Sequence, residues 1–301
     1  MVAKKAIVTG GAGFIGSHIV DYLLTKGWYV KVIDNESAET HDKFYWNKNS
    51  ENHEKDICDY DSIRPIFDGV DFVFHLAAES RIQPTLDNPI LAAEVNTVGT
   101  CTILQCAKEA GIKRVVYSST SASYGLINKI PNEESMRTDC LNPYSVSKVS
   151  GEEFCKIYTN LFGLETVVLR YFNVYGERQP LIGQYAPVIG LFLKQKKEGK
   201  PMTIIGDGLQ RRDFTYVKDV VNANFLSSQS NHVSGEVINV GTGENYSILE
   251  LAQEIGGDYE FIEPRKGELR ESLADNSKAK KLLKWRPKTN LKEWIKAQQK
   301  K

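Results

Sequence analysis

The chain is short of cysteine, of net charge and of long apolar runs, and each shortage removes a class of protein. Five of its 301 residues are cysteine (Cys58, Cys101, Cys106, Cys140 and Cys155). Their number is odd and no two form a CxxC, so neither a disulfide framework nor a zinc site is expected. They read as reduced thiols, which predicts a cytoplasmic protein. Thirty-eight Lys and Arg offset 38 Asp and Glu exactly in number, giving zero net charge. Nucleic-acid binders usually carry a basic excess, so no nucleic-acid partner is expected. The longest uncharged apolar runs, such as residues 186–193, fall well short of the about 20 residues that span a membrane. The opening MVAKKAIVTGG has no apolar leader core. No membrane partner and no metal are expected.

What is present is an ordinary supply of core. Hydrophobic residues make up 41% and charged residues 25%, enough for one large domain or two modest ones. Short Val-, Ile-, Phe- and Tyr-rich runs at 6–9, 29–34, 71–76, 114–118 and 166–171 do not alternate polar with apolar. That is the pattern of parallel strands buried on both faces. Helical stretches at 15–26, 61–67, 90–110 and 144–162 lie between them, and Gly27, Gly111 and Gly163 follow three of these as C-caps. The alternation predicts an α/β fold, a doubly wound parallel sheet of the Rossmann type over residues 1–173. After 173, Gly, Pro and charge become frequent, which marks a smaller C-terminal α/β substrate domain over 174–301. Segments near 214–245 are expected to rejoin the sheet, with Glu236–Val240 as a further strand. The lysines of 278–301 read as a solvated helix face.

Between the first strand and first helix stands TGGAGFIG, with Gly10, Gly13 and Gly16 in a GxxGxxG spacing. Glycine lets the turn tighten and lets backbone amides approach a pyrophosphate, and the helix N-terminus adds positive potential. Asp34 closes the second strand 18 residues after Gly16. A carboxylate there accepts from both adenosine ribose hydroxyls and repels a 2′-phosphate, so the pattern predicts NAD. Asp56 and Ile57 follow another short strand-like stretch and are expected at the adenine edge.

Tyr144 and Lys148 form a YxxxK, which puts both side chains on one helix face. Composition alone supplies such a match by chance, and the chain has a second in Tyr22–Lys26. Tyr22–Lys26 lies inside the first helix, past the phosphate loop, whereas Tyr144 opens a helix after Asn142-Pro143, on the nicotinamide side of the crevice. A tyrosine acting as base near neutrality needs its pKa of about 10 lowered by roughly three pH units, or about 4 kcal/mol. A nearby lysine ammonium and a cationic nicotinamide have the right sign. The run from Ser118 to Tyr124 offers hydroxyls to steady the proton.

Together these residues resemble the extended short-chain dehydrogenase/reductase family, in particular its nucleotide-sugar epimerases and dehydratases. TGGAGFIGSH, HLAA, Asn96, SSTSASYG, YSVSK, LRYFNVYG, GDGLQRRDFTYVKDV and RKGELRESLADNSKAKKLLKW match its motifs in order and cover nearly the whole chain. The resemblance implies NAD in the N-terminal domain and a nucleoside diphosphate sugar in the C-terminal one. Cofactor contacts would be Gly10, Gly13, Phe14, Ile15, Gly16, Asp34, Asn35, Asp56, Ile57, Leu76, Ala77, Ala78, Asn96, Ser118 and Tyr171. Tyr144 would be the base, Lys148 would hold the nicotinamide ribose, and Thr120 would partner the tyrosine. Ser80, Arg81, Ser121, Asn173, Arg212, Arg265 and Ser272 would face the UDP-sugar, the arginines at 212 and 265 on its diphosphate. The family's dimer bundle would pair the helices near 90–110 and 144–162 of two copies.

The family's 4,6-dehydratases carry an Asp-Glu pair where this chain has Ser121 and Ala122, so water loss is not expected. The glutamate usual in UDP-glucuronate decarboxylases is missing from the same stretch. What remains suits 4-epimerisation of a UDP-hexose through a 4-keto sugar. Ser272, where an aromatic would narrow the pocket, leaves room for an N-acetyl group, so UDP-GlcNAc and UDP-GalNAc are expected beside UDP-glucose and UDP-galactose. Arg81 either shrinks the pocket or recognises a uronate. UDP-uronate epimerase, decarboxylase or dehydratase activity, a net oxidoreductase, and an NAD-binding regulator without activity are the alternatives.

Overall fold

The computed structural model describes residues 3–38, 41, 43–181, 187–264 and 269–299. Seven parallel strands form the central sheet: β1 (Lys5–Thr9), β2 (Tyr29–Asp34), β3 (Glu51–Glu54), β4 (Phe72–His75), β5 (Arg114–Thr120), β6 (Glu165–Tyr171) and β7 (Glu236–Val240). Their order across the sheet is β7-β6-β5-β4-β1-β2-β3. Winding reverses between β1 and β4, which opens a crevice beyond their C-terminal ends, at Thr9 and His75. The expected doubly wound α/β fold is the observed one.

Both faces are covered, which is why the inner strands carry apolar stretches such as residues 6–8, 72–74, 115–117 and 167–169. On one face α1 (Phe14–Thr25) packs Ile19, Val20 and Leu23 against the strands, alongside Val220, Val221 and the fully buried Trp285. On the other, α2 (Thr100–Glu109) and α3 (Pro143–Phe162) contribute Ile103, Leu104, Cys155 and Tyr158. β7 pairs with β6 from Glu236↔Val167 to Val240↔Tyr171, so the chain returns to the sheet after its C-terminal excursion. A separate core beyond the sheet gathers Ile189, Phe192, Ile204, Leu251, Trp294 and Ile295. There Met202–Ile205 pairs in parallel with Tyr259–Ile262. The lysine-rich tail folds as two short helices, Ser277–Leu283 and Leu291–Gln298, with Leu283, Leu291, Trp294 and Ile295 turned inward.

Two local devices set the active end of α3. Asn142 and Ser145 form a reciprocal capping box, Pro143 occupies the first turn, and Gly163 (φ 71°) ends the helix in the left-handed region. Gly151 lets the helix lie directly on β5: a Cβ there would meet the Tyr117 hydroxyl at 2.2 Å. That hydroxyl donates to the Lys148 carbonyl at 3.2 Å.

One expectation is corrected. Helical segments run without a break from Pro89 to Glu109, 21 residues whose most apolar window has mean hydropathy 1.2. By length and composition alone this run is long and apolar enough to cross a membrane. A search for uncharged stretches passes over it because Glu94 and Lys108 interrupt it. It lies against the sheet and α3, with Ile103, Leu104, Cys106 and Ala107 wholly buried.

Candidate active site

The crevice widens into a cavity of about 1440 Å³ that reaches from the glycine loop to the C-terminal core. Gly10, Gly13, Phe14, Ile15 and Gly16 line one end, with Asp34, Asn35 and Ile57 beside them. Gly16 is required there: a Cβ would stand 2.1 Å from the Gly10 carbonyl oxygen. Gly13 N-caps α1 and offers no side-chain acceptor, so the first-turn amides keep their capacity for an external anion. The loop thus fits a pyrophosphate, and the nearby carboxylate fits a ribose. Asp34 accepts from Ala12 N at 3.0 Å and Glu36 N at 2.9 Å, which fixes the carboxylate and leaves it lone pairs. Its burial pushes its pKa up, against those hydrogen bonds.

At the middle of the cavity β4 and β5 end and α3 begins. Leu76, Ala77, Ala78, Ser118, Thr120 and Ser121 line it from the strand ends, and Tyr144, Lys148 and Tyr171 face them. Lys148 is 2% exposed. Desolvation draws its pKa down to about 7, with the Glu152 charge opposing. Its Nζ lies over the Tyr117 ring, 4.3 Å from the centroid. Burial pushes the Tyr144 phenol above its ordinary range, while a hydrogen bond with Thr120 and the charge of Arg81 pull it back. His75 is wholly buried between Thr9 Oγ1 (2.7 Å from Nδ1) and Thr100 Oγ1 (3.0 Å from Nε2). Burial pulls its pKa down to about 3, so it stays neutral and ties β4 to β1 and α2.

The far end is built by the second region. Ser80, Arg81, Asn173, Arg212 and Ser272 all line the cavity. Asn173 Nδ2 donates to the Asp213 carbonyl at 2.9 Å and to Ser272 Oγ at 3.4 Å. Asp213 is wholly buried and its carboxylate collects Thr242 N, Thr242 Oγ1, Gly243 N and Ala274 N. It thereby holds the strand of Arg212 against the loop of Ser272.

Two expected contacts are not among the cavity-lining groups, and one lies outside the described residues. Asp56 is exposed, its carboxylate accepting from Cys58 N and from Nδ2 of the cavity-lining Asn35, and Lys55 and Ile57 on either side of it line the cavity. Asn96 is wholly buried beneath the site, donating to the Glu79 carbonyl and Ser147 Oγ at 2.9 Å each. Its Oδ1 has no hydrogen-bond partner. Arg265 lies outside the described residues. Leu181, Val188, Gln210 and Phe214 also line the cavity. Sequence reading missed them, although Phe214 directly follows the Arg212-Asp213 pair and Val188 falls in the apolar run 186–193. The second YxxxK is not among the cavity-lining groups: Lys26 Nζ lies 5.0 Å from the ring of Tyr22, which packs edge-on against Phe225. All five cysteines are free.

Residues 7–298 match the family described as GDP-mannose 4,6 dehydratase. The chain belongs to this family, within the extended short-chain dehydrogenases/reductases. Three solved structures of the family show what the chain is similar to. One is a UDP-glucose 4-epimerase with UDP-glucose from Thermotoga maritima, 36% identical, TM-score 0.92, covering 97% of this chain and 96% of that one. Another is a UDP-N-acetylglucosamine 4-epimerase from Methanobrevibacter ruminantium with UDP-N-acetylmuramic acid, 35% identical, TM-score 0.92, covering 100% and 98%. The third is the Thermus thermophilus UDP-glucose 4-epimerase with NAD, 32% identical, TM-score 0.88, covering 97% and 96%. A uronate decarboxylase and a dTDP-glucose 4,6-dehydratase stand among the similar proteins as well. The family is one of enzymes acting on nucleotide sugars, and these neighbours are predominantly epimerases.

Proposed function

We propose that the protein is an NAD-dependent 4-epimerase of UDP-hexoses that accepts UDP-GlcNAc and UDP-GalNAc beside UDP-glucose and UDP-galactose. The observation that carries this reading is the convergence of Tyr144, Lys148 and Thr120 on one cavity with the glycine loop at one end and Arg212 and Ser272 at the other. Gly10, Gly13, Gly16 and Asp34 would hold NAD, which when bound supplies an acceptor and returner of the C4 hydride. Tyr144 takes the proton of the sugar 4-OH and later gives it back, Thr120 steadies the phenolate, and Lys148 orients the nicotinamide ribose. Arg212, with Arg265, anchors the diphosphate while the 4-keto sugar turns its other face. Ser121 and Ala122 provide no acid–base pair for dehydration. Ser272 is small and bonded to Asn173, which supports room for a 2-substituent.

On this reading residues 1–173, joined again by 214–245, bind the dinucleotide, and 174–301 bind the nucleotide sugar. The exposed Ile90, Val98, Val146, Ile157, Leu161 and Phe162 support a homodimer formed by the 89–109 run and α3. The free cysteines support a reducing, cytoplasmic setting. Incubation with UDP-glucose and UDP-GlcNAc without added cofactor, followed by proton NMR, tests the reading. It stands if both C4 epimers appear. Activity confined to UDP-glucose and UDP-galactose removes the N-acetyl tolerance, and a product lacking water or carbon dioxide removes epimerisation.

A further inference from the structure

Arg81 adopts φ 89° and ψ 148°. Only glycine visits this backbone region at little cost, and other residues held there cluster at functional sites. The strain is maintained by neighbours on both sides. Two residues before Arg81, the Glu79 carbonyl accepts from Asn96 Nδ2; the same amide donates to Ser147 Oγ, and that hydroxyl donates to the Tyr144 carbonyl at 3.0 Å. After Arg81, Thr85 Oγ1 closes the first turn of Ile82–Asp87 on the Ile82 carbonyl. The 79–81 turn and the first turn of α3 are thus fastened to one buried asparagine. Arg81 is half-buried and lines the cavity that Tyr144 also lines.

We propose that Arg81 is a positioning residue for Tyr144, its strained backbone serving to hold a fixed positive charge within Coulombic reach of the oxygen that takes the sugar's proton. The proposal rests on the epimerase reading. It is supported by the mutual effect of the two groups: the Arg81 charge opposes the burial that disfavours the phenolate. The other titratable groups around Tyr144 are disposed differently. Lys148 sits over Tyr117. Glu152 pairs with Arg170 at 2.6 Å. Cys155 and His75 are buried below the cavity, and Arg212 lines its far end.

The test compares wild type with Arg81→Met and Arg81→Lys. In Arg81→Met the acidic limb of kcat against pH is expected to move up by about one pH unit, with kcat at pH 7 down about tenfold and KM for UDP-glucose unchanged. Arg81→Lys is expected to restore most of both. A second readout needs no turnover. In NAD-loaded protein carrying [13Cζ]tyrosine, the Tyr144 resonance, identified by its loss in Tyr144→Phe, is expected to pass from the phenol to the phenolate position about one pH unit higher in Arg81→Met. An unmoved limb, identical titration curves of the resonance, or a loss confined to KM for a uronate substrate overturns the proposal. Absence of any UDP-sugar turnover in the wild type overturns the epimerase reading instead, and the resonance still reports the Arg81–Tyr144 relation.

Discussion

Lys148 rests its ammonium on the face of Tyr117, 4.3 Å from the ring centroid, while the Tyr117 hydroxyl donates to the Lys148 carbonyl. One aromatic side chain of β5 therefore fixes both ends of the residue that shares a helix face with Tyr144. The arrangement is dry, and dryness has a cost that depends on pH. With its pKa near 7 in the fold and about 10.4 when unfolded, Lys148 binds fewer protons in the native state between those values. Stability then rises with pH across that window, and the burial penalty is complete below pH 7.

Lys148→Met is accordingly expected to raise Tm below pH 7, with the gain fading between about pH 7 and 10.4, while turnover falls by about 10²-fold or more. Thermal melts across pH beside epimerase assays check it. A melting temperature lowered at pH 6 would contradict the assignment of a desolvated lysine.

Gly151 and Tyr117 are coupled sterically. Gly151→Ala places a Cβ 2.2 Å from the Tyr117 hydroxyl in a wholly buried setting, so a destabilisation of about 1–3 kcal/mol is expected, with a fall in kcat as Lys148 shifts. Adding Tyr117→Phe removes the clashing oxygen and should recover part of the loss. Urea unfolding of the two single variants and the double variant measures the coupling.

The Arg170–Glu152 ion pair is buried on both sides, at 4% and 5% side-chain exposure, and Ser119 bonds to the same carboxylate. Glu152→Gln leaves Arg170 with an uncompensated charge, an expected loss of about 3–5 kcal/mol. It also removes a negative neighbour of Lys148, which drives the lysine pKa lower still. Chemical unfolding reads the first effect, and the pH dependence of Lys148 modification by an amine reagent reads the second.

Ser272→Tyr fills the space beside Asn173. UDP-GlcNAc turnover should fall about tenfold or more relative to UDP-glucose turnover, measured as the ratio of kcat/KM values for the two sugars.

The fold was legible where burial dictates composition. β1, β4, β5 and β6 lie between helical layers and so each carries three or more consecutive buried apolar residues. β3 was barely visible because Glu51-Asn-His-Glu54 is an edge strand whose backbone pairing with β2, Lys31↔Glu51 through Asp34↔Glu54, asks little of its side chains. The Tyr144–Lys148 pair was separable from Tyr22–Lys26 through its helix start, Asn142-Pro143, which the capping box explains. Spacing could not reveal that Asp56 folds back onto the amide of Cys58, or that Asn96 works beneath the cavity as a bracket between the Glu79 loop and α3. Nor could it show the left-handed backbone of Arg81 (φ 89°), because that conformation leaves no mark in the local pattern.

The central claim is that the Tyr144 phenol moves the proton in a reversible inversion at C4. It is tested most directly by following UDP-glucose with wild type and Tyr144→Phe, both confirmed folded and NAD-bound, with no cofactor added. Wild type should reach a UDP-glucose/UDP-galactose mixture without accumulating NADH, and the Tyr144→Phe rate should be lower by about 10²–10⁴-fold. Equal rates in the two proteins, or steady NADH release with a net oxidised sugar, would contradict the claim.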